Sequence, residues 1–421
     1  MSELTTQIGD NCIIYLAKKD IDSDVIVQAT NMCNHPAVKK PRIMPDCHSS
    51  NGCCIGFTCQ ITEFISPHMI SGDIGCGLSG YPLDFNMMQK RKILDKINTI
   101  INNVIPMGVN INSSPTITID QYDSFFAVAQ DCANKFIKKY LETFNVDISS
   151  YFPIYNKIWL EARCKELRLD FNVMLRCMMS LGSGNHFIEV DYCEETQEYL
   201  LVVHTGSRLL GKAIYEFWCG ELNTNNLDED AEHVPFDKNL VLHGEKAYKY
   251  FVDMIFAQQF AAMNRTAIIS AILCELQIEF DSKKQIQCIH NYIDFDDLIL
   301  RKGAIKAYKN DICIVALNMR DGVILGDGLE QESWNYSCPH GAGRVVSRNS
   351  ALKALNDKNA TKFALKKFEK EMEGIVSSSI CAKTLDERPS AYKEPNIVIE
   401  SMRRTITNLK HFKTLVVAKG Q

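Results

Sequence analysis

Tyr199-Leu-Leu-Val-Val-His204 runs straight into Thr205-Gly-Ser-Arg208. An apolar run this short, closed by a polar turn containing glycine, reads as a buried strand rather than a helix. The strand ends in a histidine, so an imidazole stands where a buried strand meets a loop, a position suited to coordination. Arg208 in the same turn offers a guanidinium to phosphate. Outward from this stretch, strand character recurs over Gln285–Ile293, Asp311–Leu317 and Thr414–Ala418. Apolar residues at three- and four-residue spacing predict helices over Phe85–Val104, Gln121–Leu141, Glu245–Leu276 and Ala351–Glu373. Glu245–Leu276 carries Phe251, Ile255, Phe260, Ala262 and Ile269 and reads as a core scaffold. Helices and strands are interspersed without regular alternation, and no Rossmann or Walker loop is present. The pattern predicts an α+β fold rather than a doubly wound sheet.

A chain of 421 residues with 46% hydrophobic and 23% charged residues is ordinary globular protein, long enough for a sizeable core. The expectation is a single large domain over 1–421. Its net charge of −5 lacks the global basic excess of many nucleic-acid-binding proteins, so any such site has to be a local patch. The lysines of Ala351–Glu373 (Lys353, Lys358, Lys362, Lys366, Lys367 and Lys370) read either as a solvated helix face or as a surface that tracks phosphates. The opening MSELTTQIGDNCIIYLAKKD lacks the charged-then-apolar form of a secretory signal, and no run of about 18 apolar residues is present. With 17 cysteines, an odd number, the expectation is reduced thiols in a cytoplasmic protein without membrane contact.

Four further segments concentrate polar chemistry, three of them around glycines. Gly72-Asp73-Ile-Gly-Cys76-Gly77 places a carboxylate and a thiol three residues apart on a backbone that can turn both toward one point. Read alone, a turn around a buried cysteine is its commoner meaning. In Gly182-Ser-Gly-Asn185-His186-Phe-Ile-Glu189, strand alternation puts Asn185, Phe187 and Glu189 on one face and His186 on the other. Cys288-Ile-His290-Asn291-Tyr292 adds another strand histidine. In Tyr336-Ser-Cys-Pro-His340-Gly-Ala-Gly-Arg344, Gly341 and Gly343 admit an anion close to the backbone and Arg344 can fork onto phosphate. His340 there is a candidate nucleophile toward phosphorus; the competing reading is a helix start capped by Ser337 or Ser347. Together Asp73, Cys76, His186, His204 and His290 form a ligand set for a borderline divalent ion such as Mn, Zn or Fe(II). A thiolate shared by two ions would make a dinuclear site suited to phosphoryl chemistry.

In combination and order these motifs resemble the RtcB RNA-splicing ligases. The likeness runs from Met44-Pro-Asp46-Cys-His48 through Phe260-Ala-Ala-Met-Asn-Arg, Arg301-Lys-Gly-Ala and Ser390-Ala-Tyr-Lys to Ala418-Lys419-Gly420. The resemblance implies the family's own α+β arrangement, with mixed sheets, surrounding helices and a central dinuclear metal site. It implies two Mn2+ ions, one on Asp73, Cys76 and His186 and the other on Cys76, His204 and His290. His340 would be guanylylated and Asp46 would orient it. GTP would be bound by Asn185, Glu189, Asn291, His340, Gly341, Ala342, Gly343 and Lys419, with Arg344 and Tyr392 in the same pocket. Asn318 and Met319 would join them from Ala316-Leu-Asn-Met-Arg-Asp-Gly322, a loop where many members read Pro-Gly-Ser-Met-Gly and one branch reads as here. That departure leaves the guanosine contacts open. The implied reaction joins RNA 3′-phosphate or 2′,3′-cyclic phosphate ends to 5′-hydroxyl ends, in tRNA splicing or RNA repair, with an archease-type activator as a further partner. Two other readings compete: a manganese-dependent RNA end-processing phosphoesterase, which would not need His340, and a non-catalytic RNA-binding or thiol-sensing protein.

Overall fold

The computed structural model describes residues 5–84, 90–117, 119–221, 241–345 and 358–420. Two large sheets organise the chain. The first has six strands in the order Thr6–Ile8, Cys12–Ile14, Lys39–His48, Ile55–Gln60, Ile299–Lys302 and Asn291–Ile293. The second has seven, Ile286–Ile289, Gly77–Leu83, Glu198–Thr205, Phe187–Cys193, Ile406–Lys419, Gly322–Gly328 and Ile312–Asn318, every neighbouring pair antiparallel. The first sheet has one parallel pair, Cys12–Ile14 with Lys39–His48. Strands and helices are mixed without regular alternation, so the α+β expectation holds.

The His204 strand lies inside the second sheet, with partners on both sides and Leu200 to Val203 at most 3% exposed. Burying each such aliphatic side chain stabilises the fold by about 1.5–3 kcal/mol. The expected single strand Gln285–Ile293 is two strands that belong to different sheets and meet at His290. The break has a local cause: His290 N–H donates to the Cys76 carbonyl at 2.9 Å, and the His290 carbonyl accepts from Gly303 N–H at 2.6 Å. Its backbone groups are therefore taken by loops rather than by a ladder.

The helix Glu245–Glu275 packs against the helices Lys90–Val104, Ile119–Phe144 and Arg208–Glu221 and against the strands Gly77–Leu83 and Glu198–Thr205. It is buried nearly all round, which the spacing of its apolar residues did not require. Its buried polar side chains hold the loops that carry the site. Arg265 donates to the Gly75 and Thr205 carbonyls at 2.8 and 2.9 Å. Asn264 donates to those of Ser180 and Gly206 at 3.1 and 3.3 Å, and Gln258 accepts from Ile293 N–H at 3.2 Å.

The other predicted elements form with shifted ends. The helices run Lys90–Val104, Ile119–Phe144 and Lys358–Glu371, and Thr414–Ala418 is the inner part of Ile406–Lys419. Lys353 and Ser347 lie outside the described residues, as do 85–89. Ser337 caps no helix: it opens the strand Ser337–Pro339, and its hydroxyl donates to the Asn335 carbonyl at 2.6 Å. None of the 17 cysteines is in a disulfide. No helix among the described residues is long and apolar enough to cross a membrane.

Candidate active site

Asp73, Cys76, His186, His204 and His290 come from four separate segments and converge on one point. Cys76 Sγ lies 3.4 Å from His186 Nε2 and 3.2 Å from His204 Nε2, and His204 Nε2 lies 3.2 Å from His290 Nε2. Asp73 Oδ2 is 3.0 Å from His186 Nε2. The atoms fall into two groups that share the thiol: Asp73–Cys76–His186 and Cys76–His204–His290. Donors bound about 2.0–2.3 Å from an ion stand roughly 3.3–3.8 Å from one another, close to these spacings. His204 Nδ1–H donates to the Asn185 carbonyl at 3.1 Å, which fixes the tautomer and turns the Nε2 lone pair inward.

Electrostatics agree with this geometry. Burial, then His186, holds His204 well below the ordinary imidazole range, and burial, then His340, does the same to His290. Burial pushes the Asp73 carboxyl upward, but His186, Cys76 and His204 outweigh it and hold it at about 2. The Cys76 thiol is raised well above its usual value by burial and by Asp73. A divalent cation would relieve this by displacing the thiol proton. The donor set fits a metal pair.

Backbone room is part of the site. A Cβ on Gly206 would stand 2.0 Å from Asp73 Oδ1, and one on Gly182 would stand 2.2 Å from His186 Nδ1. Gly206→Ala is therefore expected to push the carboxylate out of line and lower metal affinity by at least the about 10–100-fold typical of a disturbed outer shell. Metal content after dialysis measures this, and full retention would show that Asp73 needs no such cradle.

His340 stands beside the cluster, its ring centroid 4.8 Å from that of His290. It follows the strand Ser337–Pro339, which pairs with Ala304–Lys306. Asp46 is about 1% exposed and turns one oxygen to the loop: Oδ2 accepts from His340 Nδ1 at 2.8 Å, His340 N at 3.2 Å and Gly341 N at 3.1 Å. With Nδ1 held, Nε2 is the ring nitrogen left for chemistry.

A cavity of about 360 Å³ opens over His340 and the cluster. Asn185, Glu189, Asn291, Asn318, Met319, the Gly341–Arg344 loop, Tyr392 and Lys419 all border it. Phe187 and Glu189 share its face, as alternation predicts; His186 still reaches the cluster because it precedes the strand Phe187–Cys193. Burial pushes the Glu189 carboxyl up to about 8 against the pull of Lys419. The Asn318 amide closes its own hairpin, accepting from Arg320 N and Asp321 N at 3.0 Å and donating to Asp321 Oδ2 at 2.7 Å.

Among the titratable residues that line the cavity, sequence reasoning missed Glu387 and His48. Glu387 ties the far end together: Oε1 accepts from Arg344 Nη1 at 3.0 Å, and Oε2 accepts from Tyr392 O–H at 2.5 Å and lies 3.1 Å from Lys419 Nζ. The Asp386 carbonyl takes Arg344 Nη2. The guanidinium offered to phosphate is thus anchored at the cavity edge. Glu387 stands just before the quoted Ser390-Ala-Tyr-Lys motif, and His48 closes Met44-Pro-Asp46-Cys-His48; proximity to a motif was the available signal.

Comparison with known proteins puts this chain among the RNA ligases. The family model described as tRNA-splicing ligase RtcB matches residues 28–420. The RNA-splicing ligase RtcB of Escherichia coli K12 is 23% identical, with 95% of each chain covered. The tRNA-splicing ligase RtcB of Methanococcus maripaludis is 27% identical over 96% of this chain and 92% of its own, and that of Thermococcus kodakarensis 25% over 98% and 94%. The chain belongs to the RtcB family of RNA-splicing ligases.

Proposed function

We propose that residues 1–421 act as one GTP- and manganese-dependent ligase, joining RNA 3′-phosphate or 2′,3′-cyclic phosphate ends to 5′-hydroxyl ends. The observation that carries this is the bond from His340 Nδ1 to Asp46 at 2.8 Å, beside two ligand groups that share Cys76. A buried carboxylate fixes the ring tautomer and aims Nε2. His340 Nε2 attacks the α-phosphorus of GTP and pyrophosphate leaves. The guanylate then passes to the RNA 3′-phosphate, and attack by the 5′-hydroxyl releases GMP. Asn185, Glu189, Asn291, Asn318, Met319, the Gly341–Arg344 loop, Tyr392 and Lys419 hold the nucleotide. Asp73, Cys76 and His186, and Cys76, His204 and His290, would hold manganese, which would supply charge neutralisation for the phosphates.

RNA carrying a 2′,3′-cyclic phosphate at one end and a 5′-hydroxyl at the other separates this from the phosphoesterase reading. With manganese, joined product is expected only when GTP is added. Opened but unjoined ends, with or without GTP, would establish end processing alone.

For the RNA path, support is narrower: Lys362, Lys366, Lys367 and Lys370 are exposed on the helix Lys358–Glu371. Replacing these four by glutamine is expected to weaken RNA binding and flatten its salt dependence by up to about four counterions. An unchanged slope would leave them a solvated face.

A further inference from the structure

Met44-Pro-Asp46-Cys-His48 gives the cavity more than the carboxylate beneath His340. Asp46 holds two imidazoles: its carboxylate takes His340 Nδ1, and its main-chain carbonyl accepts from His48 Nδ1 at 3.2 Å. In both rings the opposite nitrogen, Nε2, is directed away from Asp46. His48 borders the same cavity, with Ser49 and Ser50 beside it. This wall is braced from behind. The Gln28 amide donates to the Ser50 carbonyl at 2.5 Å and accepts from Ser50 N at 3.4 Å. Lys302, 1% exposed, donates to the carbonyls of Asn51, Cys53 and His68 at 2.6, 3.0 and 3.3 Å. A group that moves protons needs such a rigid mount. Burial outweighs the bond from Asp46 and keeps the His48 imidazole in its proton-accepting form, its pKa pulled down to about 4.

The ligase reading, on which this inference rests, leaves one proton without an acceptor. When the 5′-hydroxyl attacks the activated RNA end, its hydrogen has to go somewhere. Among the described imidazoles that border the cavity, His204 and His290 belong to the ligand groups. By this step His340 has passed its guanylate to the RNA, and the proposed reaction does not need it for RNA supplied already activated. Glu387 already accepts from Arg344 and Tyr392 and pairs with Lys419. We propose that His48 is the catalytic proton acceptor of the sealing step. A lone pair of the 5′-oxygen forms the new bond to the RNA 3′-phosphorus. The bond from that phosphorus to the bridging oxygen of GMP breaks, and its electrons leave with GMP. The hydroxyl proton passes to the Nε2 lone pair of His48 and from there to solvent.

The test separates two half-reactions in His48→Ala and His48→Gln, the second keeping bulk and polarity beside Asp46. One is labelling of His340 by GTP carrying a labelled α-phosphate. The other is sealing of RNA supplied with a 3′-diphosphate-guanosine end to a 5′-hydroxyl strand. Sealing is expected to fall at least about 100-fold further than labelling, within the range of a lost general base. Sealing at the unaltered rate, or equal losses in both reactions, overturns the assignment. An unaltered protein that takes no label instead overturns the ligase reading itself.

Discussion

His340→Ala is expected to take up no guanylate and to join no RNA that ends in a 3′-phosphate, while still sealing RNA supplied with a 3′-diphosphate-guanosine end. The reason lies in what the side chain does and does not support. In the proposed reaction His340 supplies Nε2 to phosphorus, and it is in neither candidate ligand group, whose contacts run between Asp73, Cys76, His186, His204 and His290. Removing the ring therefore deletes the nucleophile and leaves the ligand groups in place. Asp46→Ala acts on the same step by another route. It strips the acceptor from His340 Nδ1 and from the N–H groups of His340 and Gly341, so both ring and loop lose their reference. Labelling is expected to slow by about 10²–10⁴-fold without moving to another residue. Labelling of the alanine variant at 340, or failure of that variant on the preactivated RNA, would break this account.

Cys76→Ser is expected to cost both metal groups at once. Among the described residues Cys76 is the one that both ligand groups share, so its replacement removes a ligand from each side. A serine hydroxyl occupies nearly the same volume, and the segment stays held by Arg265 on the Gly75 carbonyl and by the bond from His290 N–H to the Cys76 carbonyl. The fold should survive while metal content and guanylylation fall by more than the about 10–100-fold that a lost outer partner costs. Metal analysis and labelling at limiting manganese measure it. Full activity of the serine variant under those conditions would rule out the shared thiolate.

Much of this site was legible because its residues are unusual where they stand. A histidine closing the apolar run Leu200–Val203 is well placed for coordination, while the carboxylate and thiol framed by Gly72, Gly75 and Gly77 gain that meaning only together with the histidines. The scaffold helix was legible to within one residue, Glu245–Glu275 against Glu245–Leu276, because length and periodicity agree over many turns. What stayed hidden depends on contacts between distant segments. Nothing local reveals that the chain changes sheets at His290, since Cys76 and Gly303 impose the break. The polar hooks Gln258, Asn264 and Arg265 look like surface residues until their carbonyl partners arrive. Glu387 is one carboxylate among 51 acidic residues, and only the packing of Arg344, Tyr392 and Lys419 around it marks it out.

The central claim is that His340 carries GMP, and the direct measurement is to map the label. The unaltered protein is incubated with manganese and α-labelled GTP, denatured, digested and sequenced at the labelled peptide. The account predicts one label, on His340, lost in acid and stable in alkali as a phosphorus–nitrogen bond is. A label on another residue, an acid-stable label, or none at all would contradict it.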